Sequence, residues 1–413
     1  MTPFYGGVII STLANFLFVL KVHTTGISES SMYWYIETAH IDEATLVWCV
    51  GNAFIFIGYE VFHTRSFPSI AVEIKSKKVV KNIFIFIVVF TLMHLFGYAI
   101  SLRFLGGGVE KVLSLLGVVG IMFYARLWVV EDSKTYRTYA LILCALQTVF
   151  ALYSSFLRVD LLTPAVSMAA GYFIGKGSIR YLFTYRLLPI IGLMLVFSMF
   201  FQSLAGNRAH FIDSFTAPAS SDPFGSSYNV VRTTDKQETG GAMERSSNIT
   251  QLTNVVKLVK RNGHYDGRAS APLIAALIPR FLWPDKPIIQ LGAWFALEIG
   301  AATIVEGRAN NSINMTIPGQ IYLDFGWIGL CVGGILFGGL LAGYWNASKF
   351  MSSPYNLTGS LWGGYLLLYA LGGIGADLQI VISLTSAYIV FLVIKKITYR
   401  HETNRLGAAV EGQ

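Results

Sequence analysis

Pro279-Arg280-Phe281-Leu282-Trp283-Pro284-Asp285-Lys286-Pro287 divides the chain between two hydrophobic blocks. Its prolines stiffen the backbone and deny it a regular helix. Phe281 and Trp283 offer surface to bury, while Arg280, Asp285 and Lys286 set charge beside them. A polar segment is expensive to hold near the re-entry into a membrane, so it is expected to have a task there. What lies on either side of it decides the fold.

Of 413 residues, 54% are hydrophobic and 13% charged, and mean hydropathy is +0.56. Soluble domains carry about a quarter charged residues. The expected fold class is therefore an all-α polytopic membrane protein. The net charge of +8 does not argue for nucleic acid, because the basic residues flank apolar runs, where topology accounts for much of them. Binding of anionic lipid or polyphosphate is the functional reading that remains. Cys49, Cys144 and Cys331 each lie in an apolar run and read as small hydrophobes, giving no disulfide framework or cysteine-rich metal site. The start, Met1-Thr2-Pro3-Phe4-Tyr5-Gly6-Gly7, lacks a basic leader, so the first apolar run reads as a retained helix.

Candidate spans fall at about 4–22, 44–62, 83–104, 110–130, 138–157, 160–175, 187–205, 322–345, 359–376 and 377–397, given about 20 apolar residues per span. About ten transmembrane helices follow, with one large extracytoplasmic loop. One set of short loops and the tail hold Arg65, Lys75, Lys77, Lys78, Lys81, Lys134, Arg137, Lys176, Arg180, Arg186, Lys349, Lys395, Lys396, Arg400 and Arg405. The alternating loops hold only Arg103, Lys111 and Arg158, with Lys21 at the end of the first span. Basic residues mark the cytoplasmic side. Both termini are then cytoplasmic, and the chain divides into 1–205 (helices one to seven), 206–315 (the outer loop) and 316–413 (helices eight to ten and a basic tail).

Within the loop, residues 214–241 are rich in Ser, Thr, Gly, Pro and Asp and read as extended or mobile. From Glu244 to about Arg261, the spacing of Ile249, Leu252, Val255, Val256 and Val259 predicts an amphipathic helix. It lies either against the membrane or bundle, or on a small soluble subdomain. The eighth span carries Gly334/Gly338 and Gly339/Gly343, small residues four apart that let helices approach closely. Packing within the bundle is favoured over a dimer interface.

No phosphate-binding loop, nucleophile elbow or His-Glu-x-x-His motif is present. The histidines are scattered; His94 reads as a helix contact, and Glu60 and Arg126 as side chains snorkelling from span ends. Arg158, Arg208, Arg245, Arg280 and Arg308 are all predicted on the outer face. Guanidinium is permanently charged and grips phosphate bidentately. Such a set is expected to converge on one diphosphate, against the plainer pairing of Arg158 with Asp160, Arg208 with Asp213 and Arg280 with Asp285. The run 310–326 is dense in hydrogen-bonding side chains suited to sugar hydroxyls, and Trp283, Trp294 and Tyr322 suit sugar rings or an interfacial belt. Asp285, Glu298, Glu306 and Asp324 are candidate bases, among which the residues alone do not choose.

The order Ser154, Ser155, Arg158; two spans; a large loop; Ile278-Pro279-Arg280-Phe281-Leu282-Trp283-Pro284-Asp285-Lys286-Pro287; Ser312; Thr316-x-Pro318-Gly319-x-x-Tyr322; and Phe325-Gly326-x-x-Gly329 resembles the O-antigen or oligosaccharide repeat-unit polymerases (Wzy-type). The likeness is sharpest over about 150–345. It implies a GT-C-like bundle, similar to the polymerases and ligases of O-antigen, in the bacterial cytoplasmic (inner) membrane. It further implies an inverting glycosyltransferase that moves a growing glycan from undecaprenyl diphosphate to the next lipid-linked repeat unit. No cofactor, metal or nucleotide sugar is implied. The implied partners are the undecaprenyl-diphosphate-linked oligosaccharide, membrane lipid and a polysaccharide chain-length regulator, with no nucleic acid. The resemblance implies dependence on outer-loop arginines, carried over here to Arg158 and Arg280 and then to Arg208 and Arg245. Together with the residue reading, the expected catalytic residues are Arg158, Arg280, Asp285 and Asp324, and the expected substrate contacts Arg208, Arg245, Lys286, Arg308, Trp283 and Tyr322. Gln320 stands where the family pattern has an acid. The related ligases carry a His-Asn pattern where Asn314 and Met315 stand here, so a ligase ranks second. A lipid-linked oligosaccharide flippase ranks third, because the chain shows no two similar halves. Arg280→Ala is expected to abolish polymer at normal protein level, and Arg280→Lys to restore part of it, read on polysaccharide gels.

Overall fold

The computed structural model describes residues 12–13, 15–20, 22–24, 38–65, 67–73, 76–95, 116–154, 158–177, 248–271, 283, 291–301, 304–305, 308–309, 313–350, 352–359, 362, 381, 384–385, 388–389, 392–393 and 395–396. They are mostly helical. The helices are α1 (Ile41–Phe62), α2 (Lys77–Leu95), α3 (Leu116–Glu131), α4 (Lys134–Ser154), α5 (Arg158–Gly175), α6 (Ile249–Asn262), α7 (Leu291–Glu298) and α8 (Ile317–Ser348). Two of them, α1 and α8, are long and apolar enough to cross a membrane. Sheet among the described residues is one antiparallel pair, β1 (Ile304–Val305) and β2 (Arg308–Ala309).

Helices α1 to α5 and α8 occupy the second to sixth and the eighth expected apolar runs. The seventh run, 187–205, lies outside the described residues, as do most of 359–376 and 377–397. Helix α8 starts earlier than the apolar run alone predicts, because Thr316 caps it and Pro318 stands in its first turn.

The centre of the fold is the packing of α8 along α1. Ala44, Val47, Trp48, Gly51, Ile55, Gly58 and Tyr59 recur at helical spacing and form the buried face of α1. Glycines make the approach possible. A Cβ on Gly58 would land on the Ile335 carbonyl, one on Gly338 on the Ile55 carbonyl, and one on Gly51 2.6 Å from Pro318 Cβ. The small residues four apart thus serve contacts within the chain: Gly334 faces Phe54, and Gly343 faces Phe67. The outward faces are also apolar, with Leu46, Ile57, Val61, Ile328, Val332 and Leu336 all exposed. Beside this pair, α3 is buried from Gly117 to Leu127 among α2, α4 and α5.

Several helix ends meet at one end of the bundle. Ile70 N–H donates to the Ala347 carbonyl at 3.0 Å, joining the chain after α1 to the end of α8. Tyr124 Oη donates to Val80 O at 2.9 Å, tying α3 to the start of α2. Tyr388 Oη reaches Pro68 O at 2.7 Å, and Lys395 Nζ reaches Ser69 O at 2.6 Å. Arg65, Lys77, Lys78, Lys81, Lys134, Arg137, Lys176, Lys349 and Lys395 all belong to this end. Arg126 corrects the snorkelling expectation. It is buried, donates to the Phe350 carbonyl at 2.7 Å and lies over the Phe350 ring. A carbonyl left free after the end of α8 gives the guanidinium a better partner than a long reach to water. Tyr355 donates to Glu131. That bond, with burial, pushes the phenol up to about 12, so Tyr355 stays a donor at physiological pH.

A leucine at Gly338 would drive α1 and α8 apart, and overpacking of this kind costs about 1–3 kcal/mol or more. Gly338→Leu should lower the melting temperature and yield of detergent-purified protein, while Leu336→Ala on the outward face should leave both near wild type.

Candidate functional site

At the other end of the bundle, α8 is broken. Gly326 has φ 64° and ψ −154°, a conformation nearly confined to glycine. A Cβ there would also lie 2.7 Å from His264 Nε2. Three consecutive carbonyls before the break are met from outside the helix. Tyr265 N–H donates to Leu323 O and Asp266 N–H to Asp324 O, both at 3.0 Å, and His264 Nδ1 lies 3.1 Å from Tyr322 O. The residues after α6 therefore form a turn fastened along the broken helix, with Asp266 and Gly267 at positive φ. Such fastening is needed because a buried carbonyl without a donor is costly.

Asp324 sits under this turn and is fully buried. Its Oδ1 accepts from Ala269 N–H at 3.0 Å, and its Oδ2 is buried with no hydrogen-bond partner among the described residues. One turn earlier, the buried Gln320 directs Nε2 to Ser270 Oγ at 3.4 Å. Tyr322 Oη donates to Glu43 Oε1 at 2.9 Å, and Lys260 Nζ lies 2.7 Å from Glu43 Oε2. Lys260 Nζ also lies 3.3 Å from His40 Nδ1. Glu43 opens α1, Lys260 closes α6 and Tyr322 belongs to α8, so one carboxylate joins three helices. The pair is partly exposed and contributes about 0–1 kcal/mol; its effect is to fix position. Helix α6 packs against α1 and α8 with Ile249, Leu252, Val255 and Val256 buried.

The expected site residues divide. Tyr322 and Asp324 come together beneath the turn. Arg158 opens α5, whose last residue, Gly175, packs against Val129 at the basic end, so Arg158 starts from the opposite end. Arg308 stands in β2, and Trp283 is partly exposed. Arg208, Arg245, Arg280, Asp285 and Lys286 lie outside the described residues. Glu298 accepts from Arg261, Asn262 and Tyr265, each at 3.4 Å. Trp294 packs edge-on to Tyr265, and Tyr322 edge-on to Trp327. Within the polar run before α8, two side chains hold backbone. Asn314 Oδ1 accepts from Thr316 N–H at 2.8 Å, and Thr316 Oγ1 from Gly319 N–H at 3.2 Å. Glu43, Lys260, Ser270 and the turn 264–270 escaped the sequence reading. The one available signal was an acid at the start of an otherwise apolar helix.

Compared with protein families, curated proteins and solved structures, the chain matches none of them.

Asp324→Ala removes the acceptor for Ala269 N–H and should destabilise by about 1–3 kcal/mol. Asp324→Asn keeps a carbonyl oxygen for that donor and should melt near wild type, as read by thermal unfolding in detergent.

Proposed function

We propose that this chain is a polymerase of bacterial surface polysaccharide, acting at the outer face of the cytoplasmic membrane on glycans carried by undecaprenyl diphosphate. The observation that carries the reading is Asp324: a buried carboxyl with one unpartnered oxygen, at a helix break, at the end opposite the basic loops. The outward apolar faces of α1 and α8 support a membrane setting, and the apolar runs of the sequence supply the count of about ten spans. Basic residues gathered at one end are what the positive-inside bias asks of the cytoplasmic side. The break then faces the exterior, with both termini inside.

In this reading Asp324 takes the proton of the acceptor hydroxyl as the new glycosidic bond forms. Guanidinium groups stabilise the departing diphosphate, with Arg158, Arg208 and Arg280 first and Arg245, Lys286 and Arg308 as further anion contacts. Asp285 orients the substrate, Tyr322 holds Glu43 beside the break, and undecaprenyl diphosphate leaves with the charge. Glu298 is a poorer base, since three donors already occupy it. The resemblance over 150–345, and not the fold, supplies the substrate class.

Deleting the gene should leave single repeat units in place of polymer. Long polymer retained on the carrier would assign a ligase instead, and single units trapped on the inner face a flippase. Alkaline phosphatase fused after residue 230 should be active, and fused after residue 135 inactive.

A further inference from the structure

The turn that fastens the broken helix carries a cation without a partner among the described residues. Arg268 is exposed, and among the described residues its guanidinium enters no hydrogen bond or ion pair. Its cationic neighbours on α6 are engaged: Lys260 is paired with Glu43, and Arg261 with Glu298. The backbone of Arg268 is held firmly. Its N–H donates to Tyr265 O at 2.9 Å, and the next residue's N–H binds Asp324 Oδ1 at 3.0 Å. Arg268 is therefore one peptide from the buried carboxyl. A guanidinium on a braced turn is pre-organised for a phosphate group, since less freedom is lost on binding.

Beside it begins an apolar track. A Cβ on Gly267 would lie 3.2 Å from the Phe325 ring, so Arg268 stands next to the first residue of that track. Phe325 precedes the break, exposed, with its side chain against Gly329; past the break Ile328, Val332 and Leu336 follow at spacings of four and are all exposed, Ile328 by 82%. Past the break, from Ile328 to Leu336, the stripe runs about 12 Å along α8 toward the basic end. A cation at its head and an apolar face below it complement one kind of ligand, an anionic headgroup on an extended hydrocarbon chain.

We infer that Arg268 and the α8 face from Phe325 to Leu336 form a docking track for a polyprenyl diphosphate, with the diphosphate on Arg268 and the isoprenoid chain along the stripe. The identity of the chain as polyprenyl rests on the proposed function; the anionic headgroup rests on Arg268. The track delivers the diphosphate to the turn that covers Asp324.

Full-length protein in nanodiscs of zwitterionic lipid, titrated with fluorescent farnesyl diphosphate, tests this. Wild type should bind, Arg268→Ala should bind at least tenfold more weakly, and Arg268→Lys should recover part of the loss. Arg261→Ala, which keeps the turn, should bind as wild type does. Ile328→Ser/Val332→Ser should weaken farnesyl diphosphate while leaving inorganic pyrophosphate competition unchanged. Equal affinity in wild type and Arg268→Ala would overturn the site. Equal displacement by phosphatidylglycerol would overturn the polyprenyl assignment and make the track a general anionic-lipid contact. If the diphosphate binds through Arg268 but gene deletion leaves polymer intact, the docking site stands and the polymerase reading falls.

Discussion

A backbone break inside apolar surroundings must find donors for every carbonyl it frees, and the half of this fold away from its basic end depends on that requirement. Gly326 breaks α8, and His264, Tyr265 and Asp266 meet the carbonyls of Tyr322, Leu323 and Asp324. Those donors hold their places because α6 is seated on α1 and α8 by its buried Ile249, Leu252, Val255 and Val256. The burial of an amphipathic helix and the geometry around one aspartate are thus a single problem. Loosening the helix would strip the break of its partners.

The same requirement explains the density of polar side chains before α8. A run such as 310–326 reads as a sugar-binding surface when each side chain is counted as a free donor or acceptor. In the fold, Asn314 and Thr316 are consumed by the helix start, and Tyr322 by Glu43. Among the described residues what is left over is small and specific: Asp324 Oδ2 without a partner, and Arg268 exposed on the turn.

The helices were legible because long apolar runs bounded by basic residues leave few alternatives, and the spacing of Ile249 to Val259 specified α6. The glycines of α8 were legible as close packing, and their partner proved to be α1. The site was legible only in part. Tyr322 and Asp324 could be picked from their polarity within an apolar run. Glu43 and Lys260 could not be linked to them, because 279 residues separate Glu43 from Tyr322 and no periodicity spans that distance. Arg126 was misread because the Phe350 carbonyl that receives it comes 224 residues later.

That separation has a consequence for how the protein is made. Chains emerge N-terminal end first and begin folding as they do. Helix α1 is complete by Phe62, yet the surface of α8 that fits its notched face at Gly51 and Gly58 arrives only with residues 318–338. Most of the chain is made while that notch stands empty. Chains that stop before α8 carry the vacant notch permanently, which gives quality control a feature by which to tell unfinished molecules from finished ones.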